Sequence, residues 1–364
     1  MMTKINSVSL RLATPDDAHL EAYDNTKLQA ANTCPTWGIL RYAMHKTYST
    51  NSRAMALEAG SAHHEVYAAL RLWQLLHYDT KELQHRYDLF HYHGARLFGK
   101  VRFDEMLDTI KAEEDERTNC LNFCLQALYN SGFYDDPSDN RRTMSNLEEA
   151  AIMYIDRWNF NKHPIWIRDR DDPHSDVGIE IAFEVVITFD TDSGKRQYRF
   201  AGKLDGLHEN PGKGTIIVGE NKTAARMDEA WRMSFEMSSQ VTGYMLAASV
   251  FTGQPIDAGI VYGVQIPLPR NYDISGLVTE HVSRKPYHFA RWFDWFLHTV
   301  EIYEAYANDP IHAPKYTHSC NRYFRPCAFI PFCTSDDDEQ QRHIDEMDTA
   351  EWSPLHDKGA NSGD

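Results

Sequence analysis

No apolar run in this chain approaches the roughly 20 residues that a membrane-spanning helix needs. Positive charge is also in deficit: 37 Lys and Arg face 53 Asp and Glu, a net charge of −16. That balance excludes a generic basic protein that coats nucleic acid. A Gly-x-x-x-x-Gly-Lys-Ser/Thr phosphate loop is missing, so the chain is not expected to drive a helicase or ATPase by itself. The start, Met1-Met-Thr-Lys-Ile-Asn6, lacks the apolar stretch of a secretory signal, and a soluble cytoplasmic protein is expected. Internal repeats are absent, and none of the six cysteines forms a Cys-x-x-Cys pair.

What is present is an ordinary globular composition, 42% hydrophobic and 25% charged over 364 residues, enough for one elaborated domain or two. Apolar spacing of three to four predicts helices over 35–48, 54–78, 82–110, 116–129 and 146–160. From about residue 163 the period changes. Strands are predicted over 178–189, 197–207 and 215–222, then a long helix over 228–251, a strand over 258–266 and an amphipathic helix over 284–306. Half of the net charge falls in residues 334–364, with ten acidic and two basic residues. A disordered acidic tail is expected from residue 336.

The third predicted strand ends Val218-Gly-Glu-Asn-Lys-Thr223. Alternation places Glu220 and Lys222 on one face, about 7 Å apart along the strand. The preceding strand ends Gly202-Lys-Leu-Asp-Gly206, and antiparallel pairing would bring Asp205 near Glu220. Two carboxylates beside a lysine suit phosphodiester hydrolysis. Carboxylates hold hard divalent cations, and an ammonium offsets charge developing on the phosphoryl group. Spelling alone leaves an ion pair as the alternative, since Asp79-Thr-Lys81 repeats the same pattern in no strand.

Four segments together resemble the RecB-type exonuclease branch of the PD-(D/E)XK nuclease superfamily, over roughly residues 55–265. They are Gly60-Ser-Ala-His-His64, Gly202-Lys-Leu-Asp205, Glu220-Asn-Lys-Thr223 and Gln240-Val-Thr-Gly-Tyr244. The resemblance implies a mixed central sheet flanked by helices. It implies Mg²⁺ or Mn²⁺ held by His64, Asp205, Glu220 and the Asn221 carbonyl. Lys222 would act on the attacking water, and Gln240 and Tyr244 would line the site. Glu180 matches an acidic position often found in the family, and is expected to support the site rather than bind the ion.

Cys120 and Cys124 stand one turn apart on a helical pattern and read as core thiols. The other four divide as Cys34 far upstream and Cys320, Cys327 and Cys333 within one segment. Four cysteines can hold zinc or an iron–sulfur cluster. One before the nuclease-like region and three after it resembles the [4Fe–4S] clasp of AddB-type and CRISPR-associated RecB-like nucleases. The spacing here is Cys-x6-Cys-x5-Cys, against the usual Cys-x2-Cys-x5-Cys.

The resulting expectation is a helical region over 1–162, a nuclease core over 163–283, a helix and cysteine clasp over 284–335, and the tail. The expected activity is metal-dependent DNA cleavage, from ends, in recombination, repair or phage- or CRISPR-type processing, with DNA and a recombination or helicase protein as partners. A structure-specific endonuclease, or an idle cluster-bearing DNA- or partner-binding module, are the alternatives. DNA-contact candidates are Arg41, Lys46, Lys203, Arg226, Arg232, Arg322 and Arg325, with Trp37, Tyr42, Trp231 and Tyr323 as stacking surfaces.

Overall fold

In the computed structural model, the described residues are 3–48, 55–80, 82–158, 163–267, 276–322, 325–352 and 355. They form an α/β fold with a mixed sheet flanked by helices. The principal strands are β1 (Ile5–Leu12), β2 (Ala22–Tyr23), β4 (Ile179–Thr191), β5 (Gly194–Asn210), β6 (Thr215–Ala224), β7 (Ala258–Gln265) and β8 (Leu277–Ser283), while a short β3 (Lys46–Thr47) lies outside their sheet. Their order is β1-β4-β5-β6-β7-β8, with β2 beside β5. The chain divides into two compact units: Met1–Ser52 with Ala182–Lys203 and Pro286–Asp364, and Arg53–Ile181 with Leu204–Lys285. Strands β4 and β5 each contribute to both, so the units do not follow consecutive segments of sequence.

The second unit carries the helices α3 (Met55–Gln74), α4 (Arg86–Phe98), α5 (Lys100–Leu107), α6 (Glu116–Tyr129) and α7 (Met144–Trp158). Helix α3 is rich in alanine, the best helix former, and buries Ala59, Ala62, Val66, Leu70 and Trp73 along one stripe. The expected helix over 82–110 is broken at Gly99, whose φ of 75° only glycine adopts easily. Helix α6 begins where Asp115 accepts from the Thr118 N–H. The expected helix over 228–251 is also two pieces, α8 (Glu229–Met233) and α9 (Ser239–Thr252), because the Ser238 hydroxyl caps a new start by accepting from Val241 N–H.

Strand β6 is the central strand of this unit. It pairs antiparallel with β5, Gly206 opposite Gly219, and parallel with β7, Lys222 opposite Gly263. Helix α3 packs close to it. A Cβ at Gly206 would lie 2.4 Å from the Tyr67 hydroxyl, and one at Gly219 would lie 2.5 Å from His208 Nε2. The paired glycines are therefore a condition of that approach. Behind them, the buried Arg71 guanidinium lies against the rings of Tyr67 and Tyr262, at 5.0 and 4.9 Å, and donates to Gln74 Oε1.

The first unit contains α1 (Asn25–Thr33), α2 (Pro35–Gly38), α10 (Pro286–Tyr306), α11 (Ile330–Thr334) and α12 (Asp337–Glu346). The expected helix over 35–48 is short α2, then a π-helical turn over Ile39–Ala43 and β3. Helix α10 turns Trp292, Phe296, Val300 and Tyr303 inward, with Phe296 packed on Phe189, Tyr198 and Phe200.

The expectation of a disordered tail from residue 336 fails for its first part. Asp336 caps α12 by accepting from Glu339 N–H, and Asp337, Asp338 and Glu339 fill the first turn, where the helix dipole favours acidic groups. Ile344 and Met347 then bury against Leu40, Phe329 and Phe332. Asp348–Thr349 pairs with β3. Residues 356–364 lie outside the described residues.

His93 supplies a test of this packing. Burial holds its imidazole down, to about 4, although its Nε2 contacts the Ser175 carbonyl at 2.8 Å, a contact that raises it. A folded-state value below the unfolded one means that stability is complete above about 6.5 and is lost as pH falls toward 4. Between pH 7.5 and 5 the thermal midpoint of the wild type should fall relative to that of His93→Gln, which keeps a donor and lacks this titration.

Candidate active site

Five residues named from sequence converge in the second unit. Asp205 lies on β5 just before its pairing with β6 begins, Glu220, Asn221 and Lys222 follow one another on β6, and His64 projects from α3. The Asn221 N–H donates to Asp205 Oδ2 at 2.6 Å, which ties the two strands where the register starts. His64 Nδ1 lies 3.5 Å from Asp205 Oδ1, and Lys222 Nζ lies 2.5 Å from Glu220 Oε1.

The carboxylates are deeply set, Glu220 being 1% exposed and Asp205 7%. Burial pushes Asp205 up to about 7, and neighbouring Glu220 and Glu180 push the same way, against His64 and Lys222. Burial pulls the His64 imidazole down, but Asp205 and Glu180 outweigh it and lift it to about 9. Lys222 is likewise lowered by burial and raised more strongly by Glu220 and Asp205, so its ammonium is secured.

Glu180 is the residue that sequence reasoning placed in a supporting role. Its Oε1 lies 3.8 Å from His64 Nδ1, and His64, Glu180 and Asp205 each offer a donor atom within 4.8 Å of the others. This is the one such His/Cys/Asp/Glu group found among the described residues, and Glu220 is not a member. The group could hold a metal ion; its two carboxylates suit a hard ion such as Mg²⁺ or Mn²⁺, while the imidazole is a donor better suited to Zn²⁺ or Fe²⁺. Glu180 also has φ of 47°, in the left-handed region that costs a side-chain-bearing residue of order 1–3 kcal/mol. No sequence pattern reveals a backbone angle. The available signal was an acid two residues after Gly178, whose backbone packs against the Leu207 carbonyl.

Gln240 and Tyr244 form a separate pair on α9, joined by a Gln240 Nε2 to Tyr244 Oη bond of 3.1 Å, and α9 packs on β6 and β7. Among the DNA-contact candidates, Arg41 donates to the Ala350 carbonyl, Lys46 to that of Met347, and Tyr42 packs edge-on against Trp352. These three thus hold the C-terminal segment. Trp37 packs beside the Leu40–Phe332 cluster. Lys203 is half-buried, Arg226 pairs with Asp228, and Arg232 is exposed beside half-buried Trp231. Tyr323 and the side chains of Arg322 and Arg325 lie outside the described residues.

Cys34, Cys320, Cys327 and Cys333 all fall in the first unit, and none is in a disulfide. Burial raises the Cys333 thiol to about 11, with Cys34 adding to the rise, Lys315 opposing it, and Cys327 and Cys320 adding again. Burial also raises Cys327, against a backbone hydrogen bond from Phe329, and Cys34 and Cys320 add to it. The four thiols therefore feel one another, but among the described residues no three gather as tightly as donors to a single ion do.

Like charges packed this way should weaken the ion-free protein. Asp205 is raised in the folded state, so its ionised form opposes folding above about pH 7. Asp205→Asn keeps an oxygen for the Asn221 N–H and should raise the thermal midpoint at pH 8 in a chelator by about 2–4 °C. Differential scanning calorimetry checks this. No protein-family model matches this chain, and the search of curated proteins returns no relative.

Proposed function

We propose that this protein is a metal-dependent DNA nuclease of the PD-(D/E)XK type, acting from DNA ends. The observation that carries the reading is the convergence of Asp205, Glu220 and Lys222 with the imidazole of His64 in one buried acidic pocket. Structural ion pairs rarely gather three buried carboxylates, an imidazole and a lysine in one place, whereas phosphodiester hydrolysis uses carboxylates to hold a divalent ion and an ammonium to offset charge. His64, Glu180 and Asp205 could hold a metal ion, and Mg²⁺ or Mn²⁺ is proposed because two of the three are carboxylates. When bound, such an ion polarises a phosphoryl oxygen and lowers the pKa of its water.

The chain's own groups do the rest. Asp205 and His64 would hold the ion, and the Asn221 N–H holds the Asp205 carboxylate in orientation. Glu220 holds the Lys222 ammonium, which stands at the pocket's half-exposed lip and can offset charge on the attacked phosphate. Gln240 and Tyr244 are proposed to position the strand. Cys34, Cys320, Cys327 and Cys333 are proposed to hold a [4Fe–4S] cluster. Such a cluster would join the N-terminal and C-terminal segments of the first unit in a structural role.

Lys222→Ala and Asp205→Asn should fold normally, by circular dichroism, and lose at least about 100-fold in cleavage of linear DNA with Mn²⁺. Covalently closed circular DNA should resist the wild type. Wild-type-like digestion by both variants would remove the assignment. Anaerobically purified protein should contain iron and sulfide, and replacement of Cys327 by Ser should abolish both.

A further inference from the structure

We infer that Arg284 is a positioning residue, which clamps the corner between α8 and α9 so that Trp231, Gln240 and Tyr244 present a DNA strand to Lys222. The inference rests on the nuclease reading for the identity of the substrate, but not for the clamp itself.

Three hydrogen bonds define the clamp. Arg284 Nη2 donates to the Phe235 carbonyl at 2.8 Å, just past the end of α8, and Nε donates to Thr242 Oγ1 at 2.8 Å, in the first turn of α9. Nη1 donates to the Ser283 carbonyl at 3.0 Å. Thr242 Oγ1 in turn donates at 2.8 Å to the carbonyl of Ser238, the residue whose hydroxyl caps α9. One guanidinium thus holds both arms of the corner, and its planar fork fixes their angle as a point charge would not. Arg284 is itself anchored, because its N–H donates at 2.6 Å to the carbonyl of Asp257, immediately before β7.

The place of the corner gives the clamp its task. On the α8 arm, a Cβ at Gly263 would lie 2.5 Å from Trp231 Cη2, and Gly263 is the residue opposite Lys222 across β6 and β7. On the α9 arm, Gln240 and Tyr244 are joined side chain to side chain. Arg284 is 4% exposed, and its bonds go to two carbonyls and a hydroxyl rather than to a carboxylate. A buried charge so arranged contributes little to stability. It does hold two helix ends in one geometry, which is what groups that must align a strand require.

The test uses Arg284→Met and Thr242→Val on the full chain. Arg284→Met should raise KM for linear DNA at least about tenfold with kcat held within about threefold, while Mn²⁺ binding, read from the electron paramagnetic resonance signal of free Mn²⁺, stays unchanged. Thr242→Val removes one bond and keeps the buried charge, so it answers should Arg284→Met fold poorly. It should raise KM by a smaller factor, and the double variant should be no worse than Arg284→Met. A fall in kcat with KM unchanged, or effects that add in the double variant, would overturn the positioning role. Amide hydrogen exchange without DNA reads the clamp itself. Residues 235–242 should exchange at least about tenfold faster in Arg284→Met, with β6 and β7 still protected. Unchanged exchange there would overturn the clamp even if the wild type cuts DNA. Faster exchange in a protein that cleaves no DNA would uphold the clamp and remove the nuclease reading.

Discussion

Three carboxylates packed against one another beneath the surface are the constraint on which the rest of the second unit depends. Glu180, Asp205 and Glu220 repel one another in a setting that hydrates them poorly, and each needs a compensating group within reach. Lys222 answers Glu220, His64 answers Asp205 and Glu180, and a backbone N–H answers the second oxygen of Asp205. None of these partners is spare. Such a set is unfavourable for stability alone, because an apolar arrangement of the same volume would fold at lower cost. Its presence at the end of a central strand is the physical ground for reading it as a site.

The helix that supplies His64 reaches the sheet only because the sheet lets it in. Gly206 and Gly219, paired across β5 and β6, leave the space that the Tyr67 hydroxyl and the His208 ring occupy. Alanines on α3 bring its axis near, and Arg71 lies against two tyrosine rings in place of a carboxylate. One consequence is that a side chain as short as histidine's spans from helix to strand. Small residues in one place thus permit polar chemistry in another.

In the first unit the same electrostatic logic runs in the opposite sense. A run of acids that would repel itself as a free coil is stabilised at the start of α12, where the unpaired N–H groups of a helix favour negative charge. Buried Ile344 and Met347 then anchor the segment. Two basic residues and an aromatic one that composition made available for DNA are occupied in holding this segment. Charge counting alone had no means of foreseeing that, since the pairing depends on which carbonyls the fold delivers to Arg41 and Lys46.

Much of the architecture was legible from local pattern. The change of period near residue 163, the strands around Asp205 and Glu220, and helices α3, α6 and α10 follow from hydrophobic spacing, which local sequence determines. So did the meeting of Asp205 with Glu220, because antiparallel neighbours joined by a short turn have little freedom of register. The breaks at Gly99 and Ser238 were signalled by residue type, but only packing made them real ends of helices. What the tertiary structure alone decided was the company each charge keeps. Glu180 is 116 positions from His64 in sequence and 25 from Asp205, and no periodicity links the three. Their convergence depends on a left-handed residue, two facing glycines and a helix set close against a sheet, and distances across such contacts are not written in any one segment.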